Sequence, residues 1–279
     1  MSTGISTLAQ VTFDAQVKGA YQTSGTLRRR CQLRTGVVGT SHTFKRANRG
    51  MASRRVPQTN VVPMGQGYGT AVATITDWNA AEYTDVFDAQ KTNSDERAIV
   101  AGNIAGAIGR REDQLLLDAM DTANGAANVG KDIGGANSGL NYTKILALHE
   151  LFNRRGVPRN KRILVIGARQ ETDLLNLPQF TSGDYVSKHV VETGELPPIL
   201  GMRPVIIEDR DEGGLPIAAS VRTCYGYDED ALGLAVGIDF RTEVNYVPEK
   251  TSYLANGLFS AGACVVDPLG IIEVACYEA

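Results

Sequence analysis

Between Ala15 and Thr76 the chain has no Asp or Glu at all, yet it carries ten Lys and Arg there: Lys18, Arg28, Arg29, Arg30, Arg34, Lys45, Arg46, Arg49, Arg54 and Arg55. Such a stretch cannot neutralise itself, so its counter-charge must come from elsewhere in the chain or from another molecule. Other shortages also restrict the reading. No apolar run approaches the roughly 20 residues that span a bilayer as a helix, and the opening MSTGISTLAQ lacks the basic and apolar stretches of a secretory leader. Cytoplasmic synthesis without a membrane partner is expected. Four cysteines (Cys31, Cys224, Cys264, Cys276), scattered and without a C-x-x-C pair, do not make a disulfide framework, so reduced, packed thiols are expected. One Trp against thirty Gly argues for turns and extended segments rather than a helical bundle. The three His (His42, His149, His189) have no spacing that places two on one helical face, and no G-x-S-x-G elbow occurs. No catalytic role, cofactor or metal is expected.

The charge that is present is segregated. The first 76 residues sum to +9 and residues 77–121 to −6, the latter with ten carboxylates (Asp77, Glu82, Asp85, Asp88, Asp95, Glu96, Glu112, Asp113, Asp118, Asp121). A basic, apolar-poor arm followed by an acidic segment suggests two surfaces made to meet, within one chain or between copies. Exposed pairs contribute only about 0–1 kcal/mol each, so many copies are needed for such contacts to decide anything.

Hydrophobic patterning predicts a mixed α+β chain. Residues 1–35 have no core of their own. Strand-favouring residues at Gly36–Arg46 and Tyr68–Thr76 flank a polar stretch with Gly50, Pro57, Pro63 and Gly65, which reads as a long two-stranded excursion with an open tip. An isolated ribbon is marginal in water, so this one needs support. A long helix is predicted from about Ser94 to Thr122, with an apolar stripe Val100, Ile104, Ile108, Leu115 and Ala119 interrupted by Arg111. Its Gly102, Gly106 and Gly109 each weaken it by roughly 1 kcal/mol and suit the close approach of another backbone. After a Gly/Asn linker, 124–141, helices are expected at Tyr142–Arg154 and Arg169–Leu177, with strands at Arg162–Gly167, Pro204–Glu208 and Leu215–Ser220. A short helix at Tyr227–Leu234 then precedes strands at Phe240–Val247, Tyr253–Asp267 and Gly270–Tyr277.

One motif approaches a catalytic signature. Gly125–Asp132 (GAANVGKD) matches a phosphate loop until its last position, where Asp132 replaces the magnesium-binding hydroxyl, and it follows a helix rather than a buried strand. The linker reading is preferred. The basic arm could instead track a phosphate backbone, but Tyr21, Phe44 and Tyr68 are its only aromatics, too few for base-stacking platforms.

The succession of basic arm, two-stranded excursion, long helix, mixed α/β unit and closing strands resembles the major capsid proteins of tailed bacteriophages with the HK97-like fold. Phe13–Gln22 (FDAQVKGAYQ) with Leu27 and Arg28 is similar to the podovirus-type arm, and Asp77–Asp88 (DWNAAEYTDVFD) to the crossing into the spine helix. Gly194–Val205 resembles the axial-domain hairpin, and Asp267–Val274 the closing strand of the peripheral domain. The resemblance implies an N-terminal arm at 1–35, an extended loop at 36–76, a peripheral domain at 77–140 and 240–279, and an axial domain at 141–239. It implies a self-assembling icosahedral shell around double-stranded DNA held without sequence specificity. The expected partners are further copies in hexamers and pentamers, a separate scaffolding protein, a portal protein and a decoration protein; the location is the virion capsid, assembled in host cytoplasm. The expected inter-subunit contacts pair Arg28, Arg29, Arg30, Arg34, Lys45, Arg46, Arg49, Arg54 and Arg55 with Asp95, Glu96, Glu112 and Asp113. Lys45 is the sole loop lysine for an isopeptide crosslink, and no crosslink is expected. Two alternatives stay open: an encapsulin-like nanocompartment shell and a nucleic-acid-binding protein.

Overall fold

The computed structural model describes residues 25–86, 96–123, 126–177 and 196–278. Its first strands are β1 (Gln32–Arg34), β2 (Ser41–Ala47), β3 (Tyr68–Thr74) and β4 (Thr76–Asp85), followed by helix α1 (Glu96–Asp121) and β5 (Ala127–Val129). Helix α2 (Tyr142–Arg155), β6 (Arg162–Gly167), helix α3 (Ala168–Leu175), β7 (Met202–Ile207) and β8 (Ile217–Ala218) come next. The chain closes with β9 (Val221–Asp228), β10 (Leu232–Val236), β11 (Arg241–Val247), β12 (Ser252–Val265) and β13 (Ile271–Tyr277).

Two sheets and a ribbon account for these strands. In the first sheet β12 is the axis: β4 pairs along one edge, β10 and β11 follow one another along the other, and β1 adds to β10 in parallel. The second sheet runs β5-β13-β9-β6-β7, with β8 on β9. Residues Arg162–Gly167 of β6 are buried throughout, as a strand covered on both faces must be. Helix α2 is well delimited: Asn141 accepts from the Lys144 amide at 2.9 Å at its start, and Gly156 ends it in the left-handed conformation.

The strand pairing divides the C-terminal residues between the two sheets and revises one expectation. Residues 240–279 do not stay together: β11 and β12 join β4, whereas β13 lies between β5 and β9 in the other sheet. The helix expected at Tyr227–Leu234 is the end of β9, a single 3-10 turn and then β10. Asp228 causes the break by accepting the Asp230 amide at 3.0 Å, and short apolar runs such as LGLAV do not distinguish strand from helix by periodicity. The acidic crossing 77–88 is largely strand β4, and the linker includes β5. Hairpin residues 194–195 lie outside the described set, and residues 202–205 belong to β7.

Helix α1 is slightly shorter than predicted, and its buried face differs past Ile108. There Glu112, Asp113, Leu116, Leu117 and Met120 are buried, while Arg111 turns aside to stack 3.6 Å from the Trp78 ring centroid. Gly109 receives the predicted close approach, since a Cβ on Gly25 would lie 2.8 Å from Gly109 O; Gly102 faces open space.

The ribbon β2–β3 has its support at the base. Phe44 is buried against Ala73, Ala235 and Val266, and a Cβ on Gly233 would sit 2.8 Å from its ring. Farther along β12, a Cβ on Gly262 would collide with Thr74 O. Gly262→Ala is therefore expected to lower stability by about 1–3 kcal/mol through enforced backbone movement, read as a lower melting temperature of the unassembled protein; an unchanged melt would contradict this seating.

Candidate assembly interface

Helix α1 carries a charged node at mid-length. Asp113 is fully buried and accepts from Thr26 N at 3.0 Å, Leu27 N at 2.9 Å and Thr26 Oγ1 at 3.2 Å. Arg210 Nη2 reaches the same carboxylate at 2.7 Å, with both side chains withdrawn from water. Gly213, at φ 72°, donates its amide to Gln114 Oε1 at 2.7 Å and packs against the Arg110 carbonyl, where a side chain would collide. One helix face thus holds the incoming segment 25–28 and the loop after β7.

Beside Asp113, Arg28 Nη1 lies 3.3 Å from Glu112 and its Nη2 lies 2.8 Å from Asp239. Glu112 is only 5% exposed, and burial pushes its carboxyl up to about 7; Arg28 opposes the shift, while Asp113 and Asp239 add to it. The same surroundings, burial first, raise the half-buried Cys31 thiol to about 12.

Of the thirteen predicted contact residues, five lie in ties inside the chain. Arg28 with Glu112 and Asp113 with Arg210 belong to the node; Arg46 pairs with Asp267, and Arg49 donates to the Arg155 carbonyl. The last two ties border a cleft of about 270 Å³ at the ribbon base, which Lys45, Asp228 and Asp230 also line. Arg29, Arg34, Lys45, Arg54 and Arg55 are exposed, Arg30 is half-buried, and none of these six has an ion pair among the described residues. Asp95 and the Glu96 side chain lie outside the described set. Arg210, Asp239 and Asp267 were missed by sequence reasoning because their partners are 97, 211 and 221 residues away.

Beyond Ala47 and Tyr68 the ribbon opens, and residues 48–68 are all exposed, with Asn48 N–H still donating to Gly67 O at 2.9 Å. Met51, Val61 and Val62 are 86%, 88% and 70% exposed. The tip is thus basic and carries bare apolar side chains. The remaining motifs are engaged locally: Lys131 donates to Asn137 Oδ1 at 2.6 Å, Asp132 accepts the Asn137 amide at 3.0 Å, and His42 lies edge-on to Phe44. His189 is outside the described residues.

The model of a family described as phage capsid protein matches residues 5–278. The chain belongs to this family. The fold is HK97-like, as comparison with solved phage capsids bears out. A Cyanophage P-SCSP1u capsid structure matches at 16% identity and TM-score 0.74, covering 100% of this chain and 95% of that one. A Mycobacterium phage Che8 structure matches at 13% and 0.73, covering 94% and 95%. The capsid of Ralstonia phage GP4 matches at 12% and 0.70, covering 97% and 96%. No curated protein matches. The capsid protein is thus a shell-forming structural protein of the virion.

Two predictions concern the capsid protein's node. Asp113→Ala strands Arg210 in a buried site and frees two backbone donors, so a loss of about 3–5 kcal/mol is expected in denaturant unfolding; a loss under 1 kcal/mol would contradict the anchor. Glu112 keeps its proton in the folded state up to a higher pH than in the unfolded state, so its contribution is present at low pH and lost as pH rises from about 4.5 to about 7. Glu112→Gln should flatten that decline, narrowing the difference in melting temperature between pH 5 and pH 8; an identical decline in both proteins would contradict the assignment.

Proposed function

We propose that this capsid protein is the major subunit of an icosahedral shell that encloses phage double-stranded DNA, assembled in host cytoplasm from hexamers and pentamers. The match to the capsid family over nearly the whole chain carries this reading. The subunit acts by geometry and charge rather than catalysis. A separate scaffolding protein, a portal protein and a decoration protein are the proposed further partners, and DNA is held without sequence specificity. The unit of β4, α1, β11 and β12 would be the peripheral domain, the six-stranded sheet with α2 and α3 the axial domain, and the ribbon the extended loop.

The node and the ribbon base refine the proposed contacts between copies. Cations already tied within the chain set where the arm and ribbon leave the body, while Arg29, Arg30, Arg34, Lys45, Arg54 and Arg55 remain available to carboxylates of a neighbour. Each pair is weak, but an icosahedral shell repeats it many times.

Electron microscopy of the protein expressed with and without its scaffold, followed by nuclease treatment and analysis of shell contents, tests this reading. Closed shells protecting DNA are expected in infection. Shells filled with a cargo protein would favour a nanocompartment, and small discrete particles under every condition would overturn the shell reading.

A further inference from the structure

Farther along the chain, charge is segregated a second time. Residues 151–170 contain no Asp or Glu but six cations: Arg154, Arg155, Arg159, Lys161, Arg162 and Arg169. Five of these fall within residues 154–162, which end α2, turn and begin β6. A connection this short and this basic has no counter-charge of its own.

The inner cations fix the turn. Arg162 is buried and donates to Pro158 O at 3.1 Å, Val157 O at 2.6 Å and Asn153 Oδ1 at 2.9 Å, while Arg155 donates to the Leu269 and Ile271 carbonyls at 3.1 Å. From β7, Arg203 donates to Asn160 O at 2.9 Å. Arg154, Arg159 and Arg203 are exposed around this turn, Lys161 is partly so, and Arg49 joins them through its bond to the Arg155 carbonyl. Carboxylates of the chain meet them only in part: Glu150 lies 3.9 Å from Arg154, Glu229 3.6 Å from Arg203 and Asp230 2.7 Å from Lys161. Arg159 and Arg49 have no carboxylate partner among the described residues. Arg49, Arg203 and the five cations of 154–162, set against Glu150, Asp228, Glu229 and Asp230, leave this face at +3. His149 reports the field, since its pKa is lowered by burial first and then by Arg162 and Arg159.

We propose that this face, centred on Arg159, holds the phosphate backbone of the packaged double-stranded DNA. Its projecting guanidinium and ammonium groups only donate, and phosphate oxygens only accept. Pro158 is the one exposed apolar side chain in residues 156–161, so charge must carry the binding, as it does on a nucleic-acid backbone and unlike the apolar core of a protein interface. The ribbon tip, by contrast, sets bare Met51, Val61 and Val62 beside its cations. The one aromatic of residues 151–162, Phe152, is buried, so the turn offers no platform for stacking bases and suits a duplex read without regard to sequence. Because Arg162 already fixes the turn, binding orders little backbone.

This inference rests on the shell reading. DNA-filled shells are compared with the same shells after DNA release and nuclease digestion, using phenylglyoxal as the arginine probe and acetic anhydride as the lysine probe. Modification of Arg159 and Lys161 is followed by mass spectrometry. Both are expected to react at least about threefold more slowly in filled shells, where phosphates cover them. Equal, fast reaction in both kinds of shell would overturn the DNA contact and leave the shell reading standing. Equally slow reaction in both would overturn it in favour of burial against another copy. Shells that form but never contain DNA would overturn it together with the DNA part of the shell reading.

Discussion

A carboxylate without water, Asp113, is the constraint on which the rest of the fold depends. A buried charge is tolerated only when its lone pairs are matched, and Asp113 achieves this by gathering two backbone amides, a hydroxyl and a guanidinium from elements far apart in the chain. The result is positional. Segment 25–28 is fixed to the middle of α1, and the loop after β7 is fixed to the same turn. Arg28, directed by that anchoring, lies between Glu112 and Asp239.

The segregated charge therefore does two jobs. Some cations are internal ties that set where the basic segments leave the body: Arg28 at the node, Arg46 and Arg49 at the ribbon base. The rest have no ion pair among the described residues, and two of them, Arg54 and Arg55, stand in solvent on a tip whose apolar side chains are also bare. A ribbon seated by Phe44 and close-packed at Gly233 and Gly262 fixes where that tip leaves the body. Rigid placement matters because an exposed ion pair contributes so little that it cannot also offset the ordering of a loose loop.

Much of this was legible in the sequence. The α1 stripe through Val100, Ile104 and Ile108, the RILVIG strand, the two ribbon strands and the Tyr142 start of α2 all follow from local pattern. What local pattern could not reach was pairing. That β13 leaves its neighbours for the second sheet depends on partners 40 or more residues away, and the β9–β10 segment reads as either helix or strand by periodicity. The site was half legible: the basic residues stood out, but composition alone could not tell that Glu112 and Asp113, in register with the buried stripe, face inward.

The central proposal is that cations left free on the ribbon tip meet carboxylates of a neighbouring copy. Charge reversal of the tip, read by sedimentation of assembly reactions, tests it most directly. Arg54→Glu with Arg55→Glu should leave folded subunits that fail to form shells. Shells forming normally from that variant would contradict the account.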